Sequence, residues 1–210
     1  MNNETAVKEV TNNTIEIAGT VVSEPVFSHE TYGEKFYTFT LRSKRISENY
    51  DELLICVSER LINPEDISVG ADVKVSGQIR TYNKSENNKS HLVIQVFARE
   101  LIFEAIKDSE NYNRVTLTGY ICKAPNYRAT PLGRKICDLL IAVNRPYGKS
   151  DYIPAVAWGR NAGWAGELPI GTKLTVEGRL QSRTYQKRVD DSTSVTKTAY
   201  ELSINKLELE

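Results

Sequence analysis

The 210-residue chain repeats itself at an offset of about 100 residues, and that period limits the fold more than any single motif does. Asn13, Gly19, Pro25, Gly33 and Lys35 recur as Asn113, Gly119, Pro125, Gly133 and Lys135. The apolar alternation between them recurs too, with Ile15, Ile17 and Val21 answered by Val115, Leu117 and Ile121. Further on, Val75-Ser76-Gly77-Gln78-Ile79 is answered by Val176-Glu177-Gly178-Arg179-Leu180. Few identities survive, so the copies share an architecture without having to share a role.

Each copy reads as five strands and one short helix. Strand one (about 14–22 and 114–122) alternates with period two and holds an internal glycine, which suggests a bulge where a small barrel curls. Strands two (34–42; 134–144) and three (52–58; 152–158) follow turn-rich loops, and a helix fits 59–67 and 160–168. Strands four (72–82; 172–185) and five (91–103; 196–208) form a long hairpin with a polar tip, 83–89 in one copy and 187–192 in the other. Three strands, a helix and two strands is the order of the OB-fold. The expected architecture is therefore all-β with short helices, as two tandem five-stranded OB-fold barrels. The first barrel spans 13–105 and the second 113–210, joined by a polar linker at 106–112, and 1–12 is expected to be disordered.

Net charge is zero, but it is unevenly divided. Residues 1–105 hold 11 Lys+Arg and 16 Asp+Glu, a net of −5, and residues 106–210 hold 16 and 11, a net of +5. A basic half points to a polyanionic partner. Cys56, Cys122 and Cys137 form no CxxC pair, and His29 and His91 are the only histidines, which leaves no zinc-ligand spacing. The three cysteines read as small, mostly buried strand residues, and neither metal nor cofactor is expected. No apolar run approaches membrane-helix length and the start is polar, so a cytoplasmic, nucleoid-associated location is expected.

A single nucleic-acid strand leaves its base faces unpaired, and a protein holds it by stacking aromatics on bases while cations neutralise phosphates. The pattern to look for is aromatics and cations on one strand face, opposite the core face. In strand four of the second copy, Leu174, Val176, Gly178 and Leu180 point inward, while Arg179, Gln181, Arg183 and Tyr185 point outward. In strand three, Ile153, Ala155 and Ala157 face in, and Tyr152, Pro154, Val156 and Trp158 face out. Arg160 follows the strand, and Arg145, Tyr147 and Lys149 occupy the loop before it. Trp164, on the short helix, reads as a plug for the barrel end.

These residues resemble the OB domain of bacterial single-stranded DNA-binding proteins (SSB). The resemblance runs through Gly119-Tyr-Ile-Cys-Lys-Ala-Pro, Thr130-Pro-Leu-Gly, Leu140-Ile-Ala-Val-Asn-Arg, Asp151-Tyr-Ile-Pro-Ala-Val-Ala-Trp-Gly-Arg and Val176-Glu-Gly-Arg-Leu-Gln-Ser-Arg-Thr-Tyr, in that order. It implies sequence-independent binding and protection of single-stranded DNA in replication, recombination or repair, without enzymatic activity. It also implies four stacking positions, which fall on Tyr147, Tyr152, Trp158 and Tyr185. The phosphate-contacting candidates are Arg145, Lys149, Arg160, Arg179, Arg183, Lys187 and Arg188. A homodimer giving four OB-folds is the implied assembly. The chain stops at Lys206-Leu-Glu-Leu-Glu, so tail-mediated recruitment of repair enzymes is not expected.

The first copy departs from this pattern. It offers Glu52, Leu54, Cys56 and Ser58 where the second has Tyr152, Pro154, Val156 and Trp158. Arg80 and Tyr82 remain as a weaker site, with Tyr82 standing for the strand-four aromatic. The acidic first barrel thus reads as a weaker binder or an assembly module. Two rival readings differ in class. A nuclease needs clustered carboxylates, and Asp190-Asp191 at a hairpin tip is the only paired acid in the basic half. A primosome-type accessory scaffold would use the same aromatics for protein contacts. RNA is not separable from DNA by sequence, because stacking does not read the sugar.

Overall fold

The computed structural model describes residues 12–86, 89–107, 112–188 and 194–210. The first repeat forms β1 (Asn13–Val21), β2 (Val26–Thr31), β3 (Glu34–Lys44), β4 (Tyr50–Ser58), β5 (Asp72–Glu86) and β6 (Lys89–Phe103). The second forms β7 (Asn113–Ile121), β8 (Asn126–Ala129), β9 (Lys135–Asn144), β10 (Ser150–Trp158), α1 (Gly159–Ala165), β11 (Lys173–Arg188) and β12 (Ser194–Leu209). The expected disordered 1–12 lies almost wholly outside the described residues, as do most of the linker (108–111) and of the second hairpin tip (189–192), whereas the first tip is strand up to Glu86 and again from Lys89.

Each repeat closes into a barrel. In the first, β1 pairs β3 and β5, β3 pairs β4, β4 runs parallel to β6, and β6 returns to β5. The second repeats that circuit through β7, β9, β10, β12 and β11. Period-two alternation fills the interiors: Ile17, Leu41, Leu53, Ile55 and Ile79 in one, Leu117, Ile141, Ile153, Val176 and Leu180 in the other, all essentially inaccessible. Each repeat has a sixth strand beyond the five expected. β2 and β8 are short, fully exposed arms that pair only with β3 and β9.

Two local expectations are corrected. The bulge lies not at the glycine of strand one but between Ser76 and Gly77, and between Glu177 and Gly178. A Cβ on Gly178 would stand 2.1 Å from the Ser203 carbonyl oxygen, and one on Gly77 2.2 Å from that of Phe97. Gly19 and Gly119 serve the closure of the barrel instead, where β3 and β9 cross within 2.6 Å of where their Cβ would be. The helix expected at 59–67 is only a 3₁₀ turn at Pro64–Asp66. Pro64 disfavours helical backbone at Asn63 before it, and the Asn63 side chain caps the turn by accepting from Glu65 N–H at 3.3 Å. In the second repeat α1 ends at Ala165, short of Leu168.

The barrels join along β1 and β7, which pair antiparallel with Ile15 opposite Val115. Because these two residues are repeat equivalents, an approximate two-fold axis passes between them, and all twelve strands form one sheet. Two reciprocal clamps flank the axis. Asp51 accepts from Ser182 N–H at 2.7 Å and is held by the Arg45 guanidinium, which also donates to the Ser182 carbonyl at 2.7 Å. Asp151 accepts from the Thr81 backbone and is held by Arg145, which donates to the Thr81 carbonyl at 3.0 Å. Both carboxylates are at most 1% exposed, so each needs its cation and its hydrogen bonds.

Candidate nucleic-acid interface

The outer surface of the second barrel is a ribbon of three strands, β10, β12 and β11. Strand β12 lies between the two that carry the aromatics. Alternation on β10 turns Tyr152 and Trp158 outward. Trp158 Nε1 donates to Ser203 Oγ on β12 at 3.1 Å, which fixes the ring by its edge and leaves it 38% exposed. Tyr152 is exposed and sits opposite Ala142, too small to cover it. On β11, Tyr185 is exposed with the Arg183 guanidinium 5.5 Å from its ring centre.

The rest of the expected set divides. Pro154 is half-buried, while Val156 is buried between Asp138 and Ser203 on its flanking strands. Gln181, expected to point into solvent, is buried and donates to Glu201 Oε1 at 2.8 Å. Glu201 also stands 3.8 Å from Arg183, so β12 brings one carboxylate into the middle of the cationic face. Arg179 is half-buried and donates to Gln181 at 3.2 Å. Lys149 and Arg160 are exposed. The side chains of Tyr147, Lys187 and Arg188 lie outside the described residues. Trp164 is exposed rather than a plug, and Ala162 and Ala165 are the residues that α1 buries. Cys56 and Cys137 are buried, whereas Cys122 is half-buried.

Arg145, expected to meet phosphates, and Arg80, expected in the weaker site of the first copy, converge on Asp151. Arg80 approaches to 3.0 Å, and burial lowers its pKa more than the Asp151 hydrogen bond restores. On Arg45 the balance reverses: the hydrogen bond to Asp51 raises its pKa against the cost of burial. Sequence reasoning missed both clamps. The clue was available, since Arg45 and Asp51 recur at the repeat offset as Arg145 and Asp151.

The first barrel is not stripped of aromatics. Counted from the bulge glycines, Tyr82 corresponds to Arg183 and Lys84 to Tyr185, so ring and cation have exchanged places along the strand rather than Tyr82 standing for Tyr185. A second exchange runs across strands. Trp158 and Ser203 in the second barrel correspond to Ser58 and Phe97 in the first, so the ring has moved from β4 to its neighbour β6. Phe97 is half-buried, backed by Phe36 at 5.8 Å and flanked by Arg99 at 5.3 Å. Among the described residues, no group of three or more His, Cys, Asp or Glu could hold a metal ion. No described helix is long and apolar enough to cross a membrane.

Comparison with known proteins agrees with this geometry. Residues 112–209 match the Single-strand binding protein family. Single-stranded DNA-binding protein A of Bacillus subtilis is 36% identical over 96 residues, covering 42% of this chain and 56% of that one. The single-stranded DNA-binding protein of Oceanobacillus iheyensis is 34% identical over 91 residues, covering 40% and 56%. The chain thus spans just over half the length of the curated relatives it matches. The crystal structure of wild-type single-stranded DNA binding protein from Thermus aquaticus is similar across both barrels, with a TM-score of 0.70 at 22% identity over 94% of this chain and 92% of that one. That likeness is one of fold. The second barrel, residues 112–209, thus matches the Single-strand binding protein family, and the first is its repeat within one two-barrel fold.

Proposed function

We propose that the protein binds single-stranded DNA with little sequence preference and protects it during replication, recombination or repair. The observation that carries this reading is the alignment of exposed Tyr152, Trp158 and Tyr185 on one barrel face, with Arg183 beside the last ring. Tyr147 belongs to the same set by its place in the loop before β10. Rings stack on any base, and Lys149, Arg160, Arg179 and Arg183 reach only backbone, so affinity is general. Three to four stacked bases at about 1–3 kcal/mol each supply most of a sub-micromolar affinity.

The test is a titration of intrinsic tryptophan fluorescence with oligo-dT, repeated with duplex DNA and at rising salt. Quenching by oligo-dT at low salt, weakened by salt and much weaker with duplex, supports the reading. Absence of quenching overturns it, and equal affinity for duplex replaces it with general polyanion binding.

A further inference from the structure

The outer face of the first barrel holds a cavity of about 510 Å³, lined by His29 on β2, Arg80 and Tyr82 on β5, and Gln95 and Phe97 on β6. Arg145 reaches into its rim from the second barrel. This volume lies within the range of small-molecule sites. Its walls are flat rings: Tyr82 is exposed, Phe97 is half-buried, and His29 lies parallel to Phe36 at 4.8 Å. At its floor Gln95 is 6% exposed, and its side-chain Oε1 has no hydrogen-bond partner.

An orphan acceptor on a nearly buried amide is unusual and calls for an explanation. The second barrel has none at this position. There the equivalent residue is Glu201, whose carboxylate accepts from Gln181. The rim is positive, because Arg80 and Arg145 share the single carboxylate of Asp151. Aromatic walls, one amide at the base and a cationic rim match the three parts of a nucleotide: stacking face, hydrogen-bonding edge and phosphate.

We propose that this cavity holds one unstacked nucleobase of the bound strand, whose edge N–H donates to Gln95 Oε1. The proposal rests on the single-strand reading above and adds to it a pocket that senses base edges in a protein otherwise indifferent to sequence. It makes the first barrel a binding module of its own kind, not a weakened copy of the second.

The test uses the full chain and two labelled oligonucleotides, oligo-dT and its N3-methylthymidine counterpart, which stacks but has no edge N–H. Fluorescence anisotropy of the wild type should favour oligo-dT by about three- to tenfold, the value of one hydrogen bond. Gln95→Leu, which replaces the orphan amide with an apolar side chain of similar size, should bind both oligonucleotides alike. Equal wild-type affinities, or an unchanged preference in Gln95→Leu, overturn the proposal. If Gln95→Leu fails to fold, Tyr82→Ala provides the second variant, and a preference that persists there overturns it equally. Both tryptophans, Trp158 and Trp164, lie in the second barrel, so their quenching reports that face alone. Quenching without any N3-methyl preference sinks the pocket and spares the single-strand reading, and absence of quenching and binding sinks both.

Discussion

Asp51 of the first barrel accepts two hydrogen bonds from Ser182 of the second, from its backbone N–H at 2.7 Å and its hydroxyl at 3.2 Å. Asp151 returns the favour to Thr81, so the two barrels are held by matched contacts on both sides of the β1–β7 pair. Removing one partner of a buried ion pair typically costs about 3–5 kcal/mol. Asp151→Asn should destabilise the fold by that order, and by more than Asp51→Asn, because it strands two guanidiniums where the other strands one. Urea denaturation of both variants checks the ranking.

The carboxylate between the aromatic strands opposes any polyanion. Glu201→Gln should tighten binding of oligo-dT, with the largest gain at low salt, where screening is least. Trp158→Ala and Tyr152→Ala should each weaken it by about 1–3 kcal/mol. Anisotropy titrations at two ionic strengths separate the stacking losses from the charge gain.

On the face of the second barrel four described cations lie on the proposed strand path: Lys149, Arg160, Arg179 and Arg183. At about −0.7 per phosphate contact the log–log salt slope should lie near −3. A slope near −4 would mean that Arg80 and Arg145, at the rim of the first-barrel cavity, meet phosphates as well.

Burial pushes the Cys56 thiol up to about 11. An unfolded cysteine ionises near 8.5, so below that pH both states are protonated and stability is unaffected. Between about pH 8.5 and 11 only the unfolded chain loses its proton, and stability falls by about 3 kcal/mol before levelling off. Urea denaturation at pH 8 and 10.5 should show this loss in the wild type and a smaller one in Cys56→Ala. At pH 8 iodoacetamide should leave Cys56 unmodified in the folded chain and reach half-buried Cys122 first.

The β-bulges set the curl of each barrel, and Gly178 has no room for a side chain. Gly178→Ala should destabilise by about 1–3 kcal/mol or more, since the obstacle is the Ser203 backbone and not a movable side chain. Gly163→Ala on α1, where a Cβ meets nothing within 4 Å, serves as the control. Thermal melts of the two variants give the comparison.

Much of the architecture was legible because strands advertise themselves by alternation: the inward sets around Ile17, Ile55, Leu117 and Ile153 could be read directly. The arms β2 and β8 were not, because they are solvated on both faces and alternate nothing. On the site, exposed Tyr152, Trp158 and Tyr185 followed from strand phase alone. Arg145 did not, because a loop arginine looks alike in sequence whether it meets a phosphate or a carboxylate six residues on. Val156 and Gln181 have outward phase but are shielded by β9 and β12, a matter of sheet order and not of period. The ring at Phe97 escaped notice because comparing copies position by position cannot detect an aromatic that has moved to the adjoining strand.

A polynucleotide has a direction, 5′ to 3′, and a binder with perfect two-fold symmetry receives it equally well either way round. The pairing of β1 with β7 builds such a dyad inside one chain and then breaks it, with Trp158 on one side and Gln95 on the other. A strand crossing both faces therefore meets them in a fixed order, and this duplication gives the protein the means to tell a strand's head from its tail.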